Sequence, residues 1–426
     1  MRKLIRGGRV IDPSQGLDAR ADVLIENGQI ARVADHLEAA DAEVIDASGK
    51  VVAPGFVDGR VQFGEPGYEQ RETFRSGLRA AAAGGFTAVI GLPGTQPVND
   101  QRAVTDLMMG EAARHPYARF YPVAALSRGA AGEELCEFGE LAAAGAVAIS
   151  DGAKSVRSSA LLRRALLYAR HFDLPVLHRP ADRDLEEGGV MHEGEWSTRL
   201  GLPAIPALAE EVAIARDLLL ARETGGRYHL SLLSTAGGVA QVRAAKAAGL
   251  RMTCEVAIHH LLLQDREVAD SVFSPATKVR PPLRGEDDVA ALRLALADGT
   301  IDMLVSDHSP YHADEKDAQF SVVPFGISGL ETLVPLALDR LVGQGLLSLS
   351  RLVELLAWVP SSLFGLPGGT LREGAPADLT LLDLDKEVVV DPARFESKGR
   401  STPFAGARLR GGVAATLLGG QLVSLS

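Results

Sequence analysis

The sequence predicts an α/β protein: a (β/α)8 TIM barrel beside a small β-sandwich module built from both chain termini. Two observations predict it. From about residue 53, short apolar runs alternate with helix-periodic segments eight times. Eight such units in about 250 residues suit a closed barrel, and an open, doubly wound sheet is the other arrangement the alternation permits. Outside that span the rhythm changes at both ends to short strands and glycine-containing turns. The expected divisions are residues 1–52 and 366–426 for the β module and 53–365 for the barrel.

At the N-terminal end, Leu4-Ile5-Arg6 and Arg9-Val10-Ile11 flank Gly7-Gly8. Val23-Leu24-Ile25 and Ile30-Ala31-Arg32-Val33 flank Asn27-Gly28, a hairpin signal because a tight primed turn needs positive φ. Val44-Ile45-Asp46 and Val51-Val52 flank Ser48-Gly49. These segments predict a small antiparallel module. The expected barrel strands are Val57–Phe63, Thr87–Leu92, Ala118–Val123, Ala146–Ser150, Pro175–His178, Tyr228–Leu232, Met252–Val256 and Met303–Ser306. Helical segments such as Glu72–Ala83, Ser159–His171 and Thr235–Ala248 lie between them. Two more helices, about Gly329–Gly343 and Ser350–Trp358, precede a return to strand character at Gly374–Asp383. Val413–Leu418 and Gln421–Val423 around Gly419-Gly420 form the last expected hairpin.

Composition narrows the function classes. The 426 residues are 46% hydrophobic and 23% charged, as in ordinary globular proteins. The net charge is −11 and no basic stretch stands out, so no nucleic-acid partner is expected. No apolar run reaches the ~18 residues of a membrane span, and no leader pattern follows Met1-Arg2-Lys3. A cytoplasmic protein without a membrane partner is expected. Cys136 and Cys254 read as buried free thiols, far from any metal or redox spacing.

The chemically informative stretch is Pro54–Gly67. An apolar run leads into it and a Gly/Pro turn closes it. Residues two apart on a strand face the same side, so Arg60 and Gln62 share a face where the strand opens into its loop. In a parallel barrel, that end carries the chemistry.

The frame Pro54, Gly55, Phe56, Asp58, Pro66 and Gly67 resembles the first-strand signature of dihydroorotases, in the amidohydrolase superfamily. Similar runs extend over nearly the whole chain. They include Glu255, His259-His260-Leu261, Pro281-Pro282-Leu283-Arg284, the stretch from Phe325 to Thr332, and Ser397-Lys398 with Thr402-Pro403-Phe404. The run Gly374–Leu379 resembles the return from barrel to β module.

The resemblance implies metal-dependent cyclic-amide hydrolysis in pyrimidine biosynthesis. In that chemistry a divalent metal activates water, a carboxylate carries the proton and polar donors hold the substrate. Three implied ligands are present: Asp151, His178 and Asp307, the last also the implied proton carrier. Three are replaced, by Arg60 and Gln62 on the first strand and Leu232 on the sixth. The implied substrate contacts are replaced too, by Gly64, Gly94, Arg280 and Tyr311. A site built to hydrogen-bond its ligand loses heavily when those partners go.

Zinc is therefore expected at low occupancy, on Asp151, His178 and Asp307, or not at all. The physical alternative is that Arg60 fills the metal's place and pairs with Asp151 and Asp307, because two buried carboxylates need a cation or a proton. His229, His259 and His260 are expected to be structural. Lys154 lies three places beyond the aspartate and is a poor bridging candidate. Arg71, Glu72 and Arg75 read as a solvated helix start. The chain also resembles the catalytically degenerate homologues that serve as structural partners of aspartate carbamoyltransferase. That implies a homo- or hetero-oligomer without hydrolysis by this chain. The other reading is a working hydrolase with an unusual metal site, acting on dihydroorotate or another cyclic amide.

Overall fold

A computed structural model describes residues 2–425. Eight parallel strands follow one another around the barrel: Phe56–Val61, Phe86–Gly91, Arg119–Ala124, Ala148–Ile149, Val176–His178, Tyr228–Leu230, Met252–Ala257 and Met303–Val305. Closure comes from Val61 beside His308, with the Gln62 N–H donating to the His308 carbonyl at 2.8 Å. The order of neighbours is the order in sequence, as a barrel requires and a doubly wound sheet does not. The fourth strand is shorter than its apolar run, two residues instead of five.

Alternate strand residues fill the interior, among them Val57, Ile90, Val123, Leu177, Leu232, Ala257, Met303 and Val305. Gly59 leaves room for Met303: a Cβ there would lie 2.4 Å from the Met303 Cε and would push that side chain aside. Outside the strands, the helices bury a continuous apolar shell. The helix Phe74–Ala83 shows how local sequence fixes such an element. Thr73 caps it by accepting from the Ser76 N–H, and the Ser76 hydroxyl closes a reciprocal capping box. Phe74 then packs edge-on to Phe120, with ring centroids 4.7 Å apart, and also to Phe63. Phe63 is the residue that ends the first strand's apolar run, so this cluster anchors the loop bearing Gly64. Truncating Phe74 to alanine removes that anchor at a cost of about 3–5 kcal/mol.

Both chain ends meet in one eight-stranded sheet. From one edge it runs Gln421–Leu422, Arg408–Leu418, Leu379–Val389, Val51–Pro54, Arg2–Asp12, Leu17–Glu26 and Gln29–Ala34, with Glu43–Asp46 also on Arg2–Asp12. Two local expectations are corrected. Gly7-Gly8 is an irregularity inside one continuous strand, not a turn between two. Glu43–Asp46 and Val51–Pro54 pair parallel to the first strand rather than with each other, so the module is mixed, not antiparallel. Side chains from both termini, such as Val10, Val23, Val52, Leu379 and Leu417, share its core. Among the described residues no helix is long and apolar enough to cross a membrane.

Candidate active site

The first strand carries two buried polar side chains into the barrel. Asp58 accepts hydrogen bonds from the Ser306 hydroxyl and the Arg60 N–H, tying the first strand to the eighth. Burial pushes its carboxyl up to about 7. Arg60 is only 3% exposed. Its Nε donates to Asp307 Oδ1 at 2.9 Å, and its Nη1 lies 4.0 Å from Glu255 Oε1. Burial raises the Asp307 carboxyl to about 6, and Arg60 opposes that rise.

The remaining implied ligands face other protein groups. Asp151 does not pair with Arg60, contrary to expectation. Its two oxygens accept from the Ser127 N–H (2.8 Å) and hydroxyl (2.6 Å), and burial raises its carboxyl. The physical reason is proximity: the loop after the third strand reaches Asp151 first. His178 Nε2 accepts from the Val156 N–H at 2.8 Å, so the ring proton sits on Nδ1 and points at Asp217 Oδ2, 2.5 Å away. Asp217 also accepts from the Tyr228 hydroxyl. Burial alone would raise the Asp217 carboxyl, but the His178 ring facing it and the Arg216 guanidinium, 2.8 Å from its other oxygen, outweigh burial and hold it low.

His229 is buried between Thr253 and Glu255, and His260 sits by the Pro281 carbonyl at 2.9 Å, both structural positions. His259 is fully buried, with no hydrogen bond on either nitrogen. Leu232 fills the barrel interior with φ +59°, a left-handed conformation that costs a leucine about 1–2 kcal/mol.

The replaced contact positions form much of one wall. Arg60, Gln62, Gly64, Gly94, Asp151 and Tyr311 line a cavity of about 400 Å³ at the C-terminal mouth of the barrel. Arg280, His178, Leu232 and Asp307 are not part of its lining. Gln62 donates to the Gly94 carbonyl at 2.8 Å. A Cβ at position 94 would lie 2.8 Å from the Gln62 Oε1, so glutamine and glycine fit as a pair. Gly64 has φ +83°, and a Cβ there would lie 3.0 Å from that of Tyr68. Arg280 stacks on Phe325, 3.9 Å from the ring centre.

Two of the three residues read as a solvated helix start, Arg71 and Glu72, are otherwise placed. Arg71 lines the cavity, stacked on Tyr68 and Tyr311 and paired with Glu315. Glu72 is fully buried, accepting from the hydroxyls of Ser76 and Ser397 and from the Lys398 N–H, with His308 Nε2 3.3 Å away. Only Arg75 is exposed. Lys154 lines the cavity and donates to the Ala130 carbonyl. Asp217 went unremarked in the sequence. Its signal is an aspartate in line with Ala213, Ile214 and Ala221 on the buried face of the helix Leu208–Thr224.

These residues do not fit the family's metal centre. Arg60 brings a fixed positive charge, Leu232 brings no donor, and the acceptor nitrogen of His178 is taken by a backbone N–H. Among the described residues no group of three or more His, Cys, Asp or Glu side chains is arranged to hold an ion.

A family model described as "Dihydro-orotase-like" matches residues 49–237. A protein named "Dihydroorotase" from Anaeromyxobacter dehalogenans (strain 2CP-C) is 51% identical over 420 residues, 98% of this chain and 97% of the relative. The chain belongs to the dihydroorotase family. A second "Dihydroorotase", from Pelotomaculum thermopropionicum, is 49% identical over 99% of this chain and 98% of its own. Among solved structures, the L-hydantoinase (dihydropyrimidinase) from Arthrobacter aurescens superposes with a TM-score of 0.89 at 26% identity, covering 100% of this chain and 96% of that one. Family membership and the barrel are thus shared along the full length.

Proposed function

We propose that this dihydroorotase-family chain does not hydrolyse cyclic amides itself and acts as a structural partner of aspartate carbamoyltransferase in pyrimidine biosynthesis. The observation that supports it is the buried Arg60–Asp307 pair at 2.9 Å, which sets a fixed cation against the family's proton carrier. A guanidinium cannot give up a proton near neutral pH, so it cannot activate water. Four replaced substrate contacts point the same way. The transferase partner and the hetero-oligomer rest on the resemblance to degenerate homologues.

A second reading has its own support. The relatives at 51% and 49% identity carry the name dihydroorotase, which favours a working interconversion of N-carbamoyl-L-aspartate and dihydroorotate. On that reading Asp307, with a carboxyl near 6, carries the proton, and Asp151, His178 and Asp307 would have to leave their present hydrogen-bond partners to hold zinc. The test is dihydroorotate turnover by the pure chain with added zinc, alone and mixed with aspartate carbamoyltransferase. No turnover, with co-elution and altered transferase activity, is the expected result. Metal-dependent turnover by the chain alone overturns the first reading in favour of the second. Failure to associate removes the partner role.

A further inference from the structure

A cavity also opens at the opposite end of the barrel, where the strands begin. Tyr228 and Met252 are the first residues of the sixth and seventh strands. Beside them a cavity of about 420 Å³ is lined by Arg227, Arg251, Thr253, Trp358, Ser362 and Leu363. It shares no residue with the cavity at the C-terminal mouth. The local sequence explains its outer wall. Pro360 has no N–H to give to the helix that contains it. The chain widens just before it, and the Val359 N–H bonds the Glu354 carbonyl, five residues back. Trp358 ends that wide turn half-buried, and Ser362 stands exposed one turn further on.

The polar groups of this cavity are arranged for a negative charge. Arg227 is fixed by two carbonyls: Nη1 donates to that of Asp173 and Nη2 to that of Leu363, each at 2.5 Å. Arg251 is exposed and has neither an ion pair nor a hydrogen bond among the described residues. The Trp358 indole N–H and the Ser362 hydroxyl likewise donate to nothing among the described residues. Arg222, also exposed, lines the adjoining slot that Arg251 borders. Against these three guanidinium groups stands the Asp173 carboxylate, 3.3 Å from Arg227 and open to water, while Glu223 is engaged by Arg163. In a chain of net charge −11 this is a local positive focus.

We propose that this cavity binds a nucleoside monophosphate, its phosphate on Arg251 and Arg227 and its nucleobase against Trp358. Guanidinium groups match phosphate oxygens in pairs, and an indole face is a good stacking surface for a flat ring. The volume falls within the about 300–1,000 Å³ of small-molecule sites. The proposal goes beyond the reading of the mouth and holds whether or not the mouth is catalytic, because the two cavities lie at opposite ends of the barrel.

The chain has two tryptophans, and Trp196 lies elsewhere, packed with Val190 and Phe320. Trp196→Phe therefore leaves Trp358 as the sole indole reporter. Titration of that protein with AMP is expected to quench its fluorescence saturably, with a dissociation constant of about 1 mM or below. Adenosine lacks the charge and ribose 5-phosphate lacks the ring, so each is expected to compete at least about tenfold more weakly. Arg251→Met in the same background should weaken AMP binding by about tenfold or more, whereas Arg75→Met, at an exposed arginine on another helix, leaves it unchanged. Ser362→Glu, which keeps both arginines and adds a like charge, should weaken it too, with circular dichroism confirming the fold of each variant. Absence of saturable quenching overturns the proposal. So does AMP binding that Arg251→Met and Ser362→Glu leave intact, or equal competition by adenosine or ribose 5-phosphate.

Discussion

Replacing Arg60 by methionine tests the electrostatics of the barrel floor directly. At 2.9 Å from Asp307 the guanidinium contributes about 6 kcal/mol of Coulomb attraction at an effective dielectric of about 20, and about 4 kcal/mol more toward Glu255 at 4.0 Å. Much of this only offsets the desolvation of the buried groups, and methionine fills the volume without needing water. The net cost is therefore that of stripping a buried carboxylate of its cation, about 3–5 kcal/mol. The pH dependence identifies the cause. Burial already raises Asp307 from 3.8 to about 6, and without Arg60 it rises further. A raised carboxyl makes the folded state bind the proton more tightly than the unfolded state does. Stability accordingly falls as pH climbs from the unfolded value through the folded one. In the wild type that fall ends near pH 6; in the variant it continues above. The cost should reach about 3–5 kcal/mol at pH 8 and drop below half of that at pH 5. Urea unfolding followed by circular dichroism reads it as a midpoint shift of about 1 M or more at pH 8. A variant within about 1 kcal/mol of wild type at pH 8, or equally destabilised at both pH values, would refute the reasoning.

Other consequences are simpler to check. Gly94→Asn alone should cost about 0.5–1.5 kcal/mol, because the movable end of Gln62 must leave its hydrogen bond to the Gly94 carbonyl; in Gln62→Ala the same change should cost less, a coupling of about 0.5 kcal/mol or more in a double-mutant cycle. Zinc-loaded and dialysed wild-type protein should retain substoichiometric metal by mass spectrometry, and Arg60→His, Gln62→His and Leu232→His together should raise it to stoichiometric. Glu72→Gln should cost about 1.5–3 kcal/mol in denaturant titrations, since it weakens charge-assisted bonds from Ser76, Ser397 and Lys398. Glu72 is held below its ordinary 4.5, so that contribution is present above 4.5 and is lost as pH falls through the folded value. Ellman's reagent should find no reactive thiol in native protein at pH 8 and both cysteines after denaturation. Burial pushes Cys136 up to about 12 and Cys254 higher still.

The barrel was legible because each strand is a short apolar run between turn residues, a pattern local to five or six positions. Met252–Ala257 extends its sequence expectation by one residue. The fourth strand falls short although Val147 is β-branched, and its N–H still bonds the Pro122 carbonyl of the third strand at 3.0 Å. Asp151, His178 and Asp307 do lie at or just past the ends of the fourth, fifth and eighth strands, where the resemblance marks them. What stayed hidden depends on pairing between distant segments. Glu72 reads as a solvated acid until Ser397 and Lys398, some 325 residues away, are seen to close over it. Asp151 was expected on Arg60, and no pattern in the sequence says that Ser127 lies closer.

Those pairings bear on how the site departs from its family. The replaced positions are not independent holes. Gly94 leaves the space that Gln62 fills and supplies the carbonyl that Gln62 bonds. Arg60 answers the charge of Asp307, which the frame retains. Leu232 keeps a left-handed backbone at the end of the sixth strand, as Asp307 does at the end of the eighth, although an aliphatic side chain gains nothing from that conformation. Around the cavity Arg60, Gln62, Asp151 and His178 each bond to another group of the chain. Restoring one side chain therefore strains or unpairs another. Gly64, with φ +83° and Tyr68 at 3.0 Å, resists any side chain at the position of the family's carboxylate-holding arginine. The cost of return is collective, and the pairs Gly94–Gln62 and Arg60–Asp307 are where it can be measured.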